Sequence, residues 1–65
     1  MFEIKIKTSG AAFHNEFNPE YDRSCTISEI ARILEKICDE MQGGRTQGKA
    51  IDYNGNAVGE WKLDA

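Results

Sequence analysis

The first residues of the chain alternate between apolar and charged side chains. The apolar ones are Phe2, Ile4 and Ile6, with a charged residue after each. A period of two is typical of a strand with one buried and one solvated face. We expect a strand over about residues 2–8, which a bulge at Ser9-Gly10 would allow to continue to residue 13.

Residues 14–25 show no regular period and predict an irregular loop. Within it, Asn18 followed by Pro19 is typical of a helix start. We therefore expect one helical turn that reaches Tyr21 or Asp22, with Phe17 and Tyr21 facing the protein.

The middle of the chain repeats its apolar residues with helical spacing. The pattern predicts a helix over about residues 27–42, with Thr26 and Glu29 as a capping box and Gly43-Gly44 at its end. The apolar stripe has Ile33 at its edge and comprises Ile27, Ile30, Ala31, Leu34, Ile37, Cys38 and Met41.

Residues 48–63 predict a β-hairpin around Asn54-Gly55. A two-residue turn would pair Ile51 with Val58 and send Trp61 to the other face. Because burial of Trp61 outweighs a turn preference, at roughly 25 cal/mol per Å² of apolar surface, we expect the indole inside. Two devices achieve this, and the sequence leaves both open. One is a three-residue loop over residues 54–56, which also turns Ile51, Tyr53 and Leu63 inward; the other is a tight turn with a bulge at Gly59.

These elements predict a single α+β domain over residues 1–65, in the order β-α-β-β. One helix would pack on one face of a small, mainly antiparallel, three-stranded sheet. The strand order in the sheet is left open. Either hairpin places Val58, Glu60 and Lys62 on the uncovered, solvated face.

Composition narrows the classes of function. The chain has 65 residues, 40% of them hydrophobic, and a net charge of -3 from 8 basic and 11 acidic residues. This balance argues against a nucleic-acid binder. No apolar run approaches the roughly 20 residues of a membrane span, and the alternating charges at the start do not suit a signal peptide, so a cytoplasmic location is expected.

Cys25 and Cys38 lie about 20 Å apart along a helix, too far for a disulfide.

No cofactor, metal site or catalytic set is expected. The ligand candidates His14, Glu16, Asp22 and Cys25 match no zinc or calcium spacing. Cys25 precedes the predicted helix, where a thiolate would be favoured and His14 would be the sole histidine base. We favour a packing role for Cys25, and a core position for Cys38.

We therefore expect a small non-enzymatic module that binds a protein partner of unknown identity. The predicted contact residues are Lys5, Lys7, Val58, Glu60 and Lys62 on the uncovered sheet face, with Phe17 and Tyr21 in the loop. Homodimerisation through a sheet edge or the uncovered face is a second expectation. The alternative is a nucleic-acid accessory protein that uses the lysines of that face.

Three pieces of the chain resemble a group of short, uncharacterised proteins encoded by bacteriophages and prophages. They are the first strand with "AAF" (residues 11–13), the helix core "EIARIL" (residues 29–34) and the tail "DYNGNAVGEWKL" (residues 52–63). Residues 14–25, where this chain is longer, lie outside the resemblance. It implies a phage or prophage setting and a β-α-β-β arrangement, and it brings no activity or catalytic residue.

Overall fold

The structure, a computed structural model, describes residues 1–15 and 17–64. The elements in chain order are β1 (Phe2–Ile6), two 3₁₀ helices (Ala11–Phe13 and Pro19–Tyr21), α1 (Asp22–Gln42), β2 (Gln47–Ile51) and β3 (Ala57–Leu63). The three strands form an antiparallel sheet in the order β1-β3-β2. The predicted α+β fold with the element order β-α-β-β is confirmed.

The first strand is shorter than predicted. β1 ends at Ile6, and the extension to residue 13 is wrong because Ala11–Phe13 form a 3₁₀ helix. Phe13 is fully buried there, and Ala12 is buried beside it. Burial of an aromatic ring stabilises more than a few further residues of edge strand would, so the chain turns inward at Gly10.

The helix starts earlier than predicted. The expected turn at Pro19–Tyr21 is present, with the Asn18 side chain accepting from the Glu20 N–H, and α1 continues directly from it at Asp22. The capping box is wrong because the residues before Thr26 are already helical and leave no free backbone N–H to cap. The Thr26 hydroxyl instead donates to the Phe13 carbonyl at 2.5 Å.

The helix buries a different line of residues from the one predicted. Ile33 is 1% exposed and lies at the centre of the contact, with Ile37 and Glu29. Four residues predicted to be core, which we call the helix stripe, are exposed instead: Ile27, Ala31, Leu34 and Cys38. The apolar stripe around α1 is wider than the surface that the three-stranded sheet can cover, so the apolar residues at its margin remain exposed. Both cysteines are free, as expected.

The hairpin uses a three-residue loop, one residue earlier than predicted. The loop is Tyr53–Gly55, because Gly55 N donates to Asp52 O at 3.0 Å and Asp52 N donates to Asn56 O at 2.9 Å. Gly55, rather than Asn56, adopts positive φ (+87°), which glycine does without steric cost.

A bulge then shifts the pairing of the two strands. Ile51 pairs with Ala57, whereas Ala50 pairs with Gly59, so Val58 is the extra residue. As a result Ala50, fully buried, takes the inner position predicted for Ile51. Tyr53, expected inside, is 64% exposed because it lies in the loop, and Leu63 is on the inner face but 46% exposed.

The core is centred on Trp61, whose predicted burial is confirmed at 1% exposure. The indole lies on β3 between Ile4 of β1 and Gly48 of β2. Its N–H donates to the Glu40 carboxylate of α1 at 3.2 Å. The remaining buried apolar residues are Ala12, Phe13, Ile33, Ile37 and Ala50.

Gly48 is required for the indole to lie flat on β2, because a Cβ there would lie 2.7 Å from Trp61 Nε1. We predict that Gly48→Ala lowers the free energy of unfolding by about 1–3 kcal/mol, the usual cost of overpacking. Urea denaturation followed by tryptophan fluorescence measures this change. Gly10→Ala is the matched control, since nothing lies within 4 Å of a Cβ at residue 10. Equal stabilities of the two variants would contradict the packing of Trp61 on Gly48.

Candidate functional site

The side of the sheet that faces away from α1 is the best candidate for a site. Because side chains alternate along a strand, the residues next to the inward ones point to this side. We call this surface the open sheet face, and its residues are Glu3, Lys5, Lys7, Gln47, Lys49, Glu60 and Lys62, with the half-buried Val58 at the bulge on its border. They line two shallow grooves of about 520 and 410 Å³.

The charges of the open sheet face lie in rows across the strands. Lys5 and Lys49 flank Glu60, and Lys62 lies between Glu3 and Gln47. Within residues 1–15 and 17–64, no lysine forms an ion pair shorter than 4 Å. The lysine ammonium groups are thus free to meet an anionic partner.

The structure brings most of the predicted contact residues together. Lys5, Lys7, Glu60 and Lys62 lie side by side around the two grooves. Val58 lines one groove but is half-buried and packs against the core, so the expectation that it faces water is wrong. It is the extra residue of a bulge, and a bulge redirects its side chain.

Sequence reasoning missed Lys49. The three-residue loop over residues 54–56, one of the two arrangements left open by the sequence, would have turned Ile51 inward and, with it, Lys49. The observed register places Gly48 and Ala50 inside and Lys49 outside, opposite Glu60. The signal was Gly48 itself, a residue small enough to accept an indole on its backbone.

The predicted loop contacts lie apart from the open sheet face. Phe17 is 97% exposed and Tyr21 57% exposed, so the expectation that they face the protein is wrong, although both remain accessible. Phe17 lines a cleft of about 260 Å³ with His14, Cys25 and Tyr53.

His14 ties the loop to the start of α1. Its Nδ1 lies 2.9 Å from an Asp22 oxygen, and its Nε2 lies 2.7 Å from the Thr8 carbonyl. The Asp22 hydrogen bond, with help from Thr8, raises the pKa of His14 above 6.5. A hydrogen bond from Asn15 N–H, followed by the one from His14, lowers the pKa of Asp22 below 3.8. The protonated imidazole can donate to both acceptors at once.

The hydrogen bonds of His14 argue against its use as a base for a Cys25 nucleophile. Cys25 lies inside α1 rather than before it and shares the cleft with His14. Both imidazole nitrogens are engaged with Asp22 and Thr8, so His14 has no free nitrogen to accept the thiol proton.

Of the residues considered as metal ligands, His14 and Asp22 contact each other, and Cys25 shares a cleft with His14. Residues 1–15 and 17–64 contain no group of three or more His, Cys, Asp or Glu side chains that could hold a metal ion. Glu16 lies outside the described residues.

Among residues 1–15 and 17–64, the helices lack an apolar stretch of the length that spanning a membrane requires.

A buried carboxylate that the sequence did not reveal fixes the hairpin to the helix. Glu29 is 5% exposed and accepts from Arg32 Nε at 2.6 Å and from Tyr53 N at 2.8 Å. Arg32 also donates to the Ile51 carbonyl at 3.1 Å. The Arg32 guanidinium, followed by the Tyr53 N–H, holds the pKa of Glu29 below 4.5, against the opposing effect of burial. The partner of Glu29 is the backbone N–H of Tyr53 in the hairpin loop, and a pattern of side-chain types along the sequence does not reveal such a contact.

We predict that Glu29→Gln lowers the free energy of unfolding by about 1–3 kcal/mol at pH 7, because it weakens a buried charged hydrogen-bond network. The lowered pKa means that this stabilisation is present above pH 4.5 and is lost as the pH falls through the folded-state pKa of Glu29. Urea denaturation at several pH values should show the difference from wild type shrinking in acid. Glu35→Gln, on an exposed position of the same helix, is the control and should have little effect.

We also predict that His14 titrates above pH 6.5, and that Asp22→Asn brings its pKa back toward the ordinary value. Because the folded-state pKa of His14 is raised, the stabilisation from the His14–Asp22 pair is complete below pH 6.5 as long as Asp22 stays ionised, and it fades as the pH rises through the pKa of His14. NMR titration of the imidazole carbon-bound protons in both proteins measures the shift. An identical His14 pKa in the two proteins would rule the pair out.

The chain was also compared with known proteins. No model of a protein family matches it, and no curated protein or solved structure is significantly similar to it.

Proposed function

We propose that this chain is a small non-enzymatic interaction module that binds an acidic surface of a protein partner through its open sheet face. The observation that supports this best is the excess of lysine on that face. Four lysines (Lys5, Lys7, Lys49 and Lys62) stand there against two glutamates (Glu3 and Glu60).

The lysine excess runs against the charge of the chain as a whole. The net charge is -3, and α1 carries five acidic and three basic residues. Positive charge is therefore concentrated on one side of the molecule and negative charge on the other. Such a separation orients the molecule toward an anionic surface and speeds association with it.

The lysines also favour the alternative function, a nucleic-acid accessory protein. Single-stranded nucleic acids are held by aromatic rings that stack on bases as well as by cations. In the described part of the chain, no aromatic ring stands on the open sheet face, because Trp61 and Phe2 belong to the inner face. An acidic protein surface needs cations only, so we place it first.

A catalytic role for the cleft that His14 and Cys25 line has less support. His14 would have to leave both Asp22 and Thr8 before it could act as a base for Cys25. We therefore keep the proposal non-enzymatic and without a cofactor. The setting that goes with it is an accessory protein of a bacteriophage or prophage, working in the cytoplasm, and the neighbouring genes would test that part directly.

We predict that Lys49→Glu combined with Lys62→Glu abolishes binding of the protein partner. The tagged protein and this variant would be used to capture proteins from the host cell, with quantitative mass spectrometry at two salt concentrations. The specific partner should be reduced at least about tenfold with the double variant, because opposite charges become like charges across the interface. It should also be rich in surface carboxylates and be released by high salt.

Lys36→Glu combined with Arg23→Glu is the matched control, since both residues are exposed on α1 and the net charge changes by the same amount. Loss of the partner with both double variants would indicate a net-charge effect and contradict the proposal. A gel-shift titration against single- and double-stranded DNA and RNA separates the alternative. Tight binding that weakens steeply with salt would favour nucleic acid over a protein partner.

A further inference from the structure

The outer edge of β1 carries backbone groups without a partner. Lys7 N donates to Val58 O and Asp64 N donates to Met1 O, so the odd-numbered residues of β1 face β3. In an antiparallel ladder the alternate residues point the other way. The N–H and C=O groups of Phe2, Ile4 and Ile6 therefore point out from the edge, and no hydrogen bond within the described residues reaches them there.

The inner side of this edge is also poorly covered. The helix packs over β2 and the Ala11–Phe13 segment rather than over β1. Phe2 remains 43% exposed and its pairing partner Leu63 46% exposed. An additional strand beside β1 would cover apolar surface as well as satisfy the backbone groups.

The opposite edge of the sheet is less available. β2 presents its edge through the odd-numbered residues, since Leu63 N donates to Thr46 O. Arg32 from α1 already donates to the Ile51 carbonyl on that edge. The antiparallel register that pairs all five residues of β2 with a second copy would also place Lys49 directly opposite Lys49, and like charges in that position are destabilising.

Pairing of β1 with itself has one register in which the charges agree. With Ile4 on the two-fold axis, Phe2 lies opposite Ile6 of the second copy, and all five residues of the strand are paired. Glu3 then lies opposite Lys5 of the second copy, twice by symmetry, in the closer, non-hydrogen-bonded positions. A shift to either neighbouring register places Glu3 opposite Glu3 or Lys5 opposite Lys5.

We infer that two copies of this chain associate through antiparallel pairing of their β1 edges in this register. The product is a six-stranded sheet in the order β2-β3-β1-β1-β3-β2, with both helices on one side. The contact is small, and interfaces below about 1,200 Å² belong to transient complexes, so we expect association at micromolar to millimolar concentration. The dimer does not rest on the proposed function, because it depends on the backbone edge and the charge pattern of β1. Glu3 and Lys5 belong to both surfaces, whereas Lys49 and Lys62, which test the partner site, lie outside β1.

The test exchanges the charges of the interface. In Glu3→Lys, the new lysine faces Lys5 across the two-fold axis; in Lys5→Glu, the new glutamate faces Glu3. Each variant alone should dimerise about tenfold or more weakly than wild type, because two opposite-charge pairs become like-charge pairs. An equimolar mixture should restore association as a heterodimer, to about half the wild-type dimer concentration when association is weak, because only mixed pairs place the two lysines on β1 of one variant against the two glutamates on β1 of the other. Sedimentation velocity over a concentration series and native mass spectrometry measure both effects.

Mixing leaves the pairs inside each chain unchanged, so recovery reports on the contact between chains alone. A synthetic chain with an N-methyl group on Ile4 gives an independent measurement, because it removes the central outward N–H without altering a side chain, and it should abolish the dimer. Leu34→Gln in the helix stripe is the control and should leave the dimer intact. A wild-type chain that stays monomeric up to about 1 mM, the weak end of specific affinities, would overturn the inference. So would a dimer that Leu34→Gln breaks while the charge variants and N-methylation do not.

Discussion

The burial of one indole between the helix and the sheet is the interaction on which the rest of this structure depends. Trp61 is the largest side chain in a core that, among residues 1–15 and 17–64, has only six buried apolar residues. It has a neighbour on each of the other main elements: Ile4 beside it in β1, Gly48 beside it in β2, and Glu40 of α1, which accepts its N–H. Because side chains alternate along β3, placing Trp61 inside decides which residues of β3 remain outside. The pairing of Trp61 with Ile4 and with Gly48 extends this choice to β1 and β2, and together these set the composition of the open sheet face.

Two carboxylates fix the direction of the helix over the sheet. Glu29 accepts from the Tyr53 N–H at the hairpin loop, and Glu40 accepts from Trp61 farther along β3. Both anchors lie on β3 or on the loop that precedes it, and α1 packs over β2 and the Ala11–Phe13 segment rather than over β1. A buried carboxylate is costly unless it is fully paired, and Arg32 supplies the charge that makes the Glu29 anchor tolerable. The strand order β1-β3-β2 leaves the outer edge of β1 open, and the position of the helix leaves the inner side of that edge poorly covered.

The proposed partner site and the proposed dimer share one physical origin. The single α-helix of the described residues covers one face of the sheet and leaves the outer edge of β1 unprotected. The uncovered face carries lysines, which keep it solvated and attract anions. If β1 pairs across a two-fold axis, the two open sheet faces become one continuous surface. A partner would then meet rows of lysine from both copies, and binding at one copy would favour binding at the other through effective concentration.

Local patterns in the sequence determined the element types, the α+β class, the burial of Trp61 and the outward position of Lys5, Lys7, Glu60 and Lys62. These follow from periods of two and 3.6 residues, which any segment carries by itself. Tertiary contacts alone decided that Ile33 rather than Leu34 centres the helix contact, that Glu29 holds the hairpin instead of capping α1, and that Lys49 joins the open sheet face. Each of these depends on a one-residue difference in register or a small rotation of the helix. Such differences are resolved only when distant segments compete for the same buried space, and a linear pattern does not contain that competition.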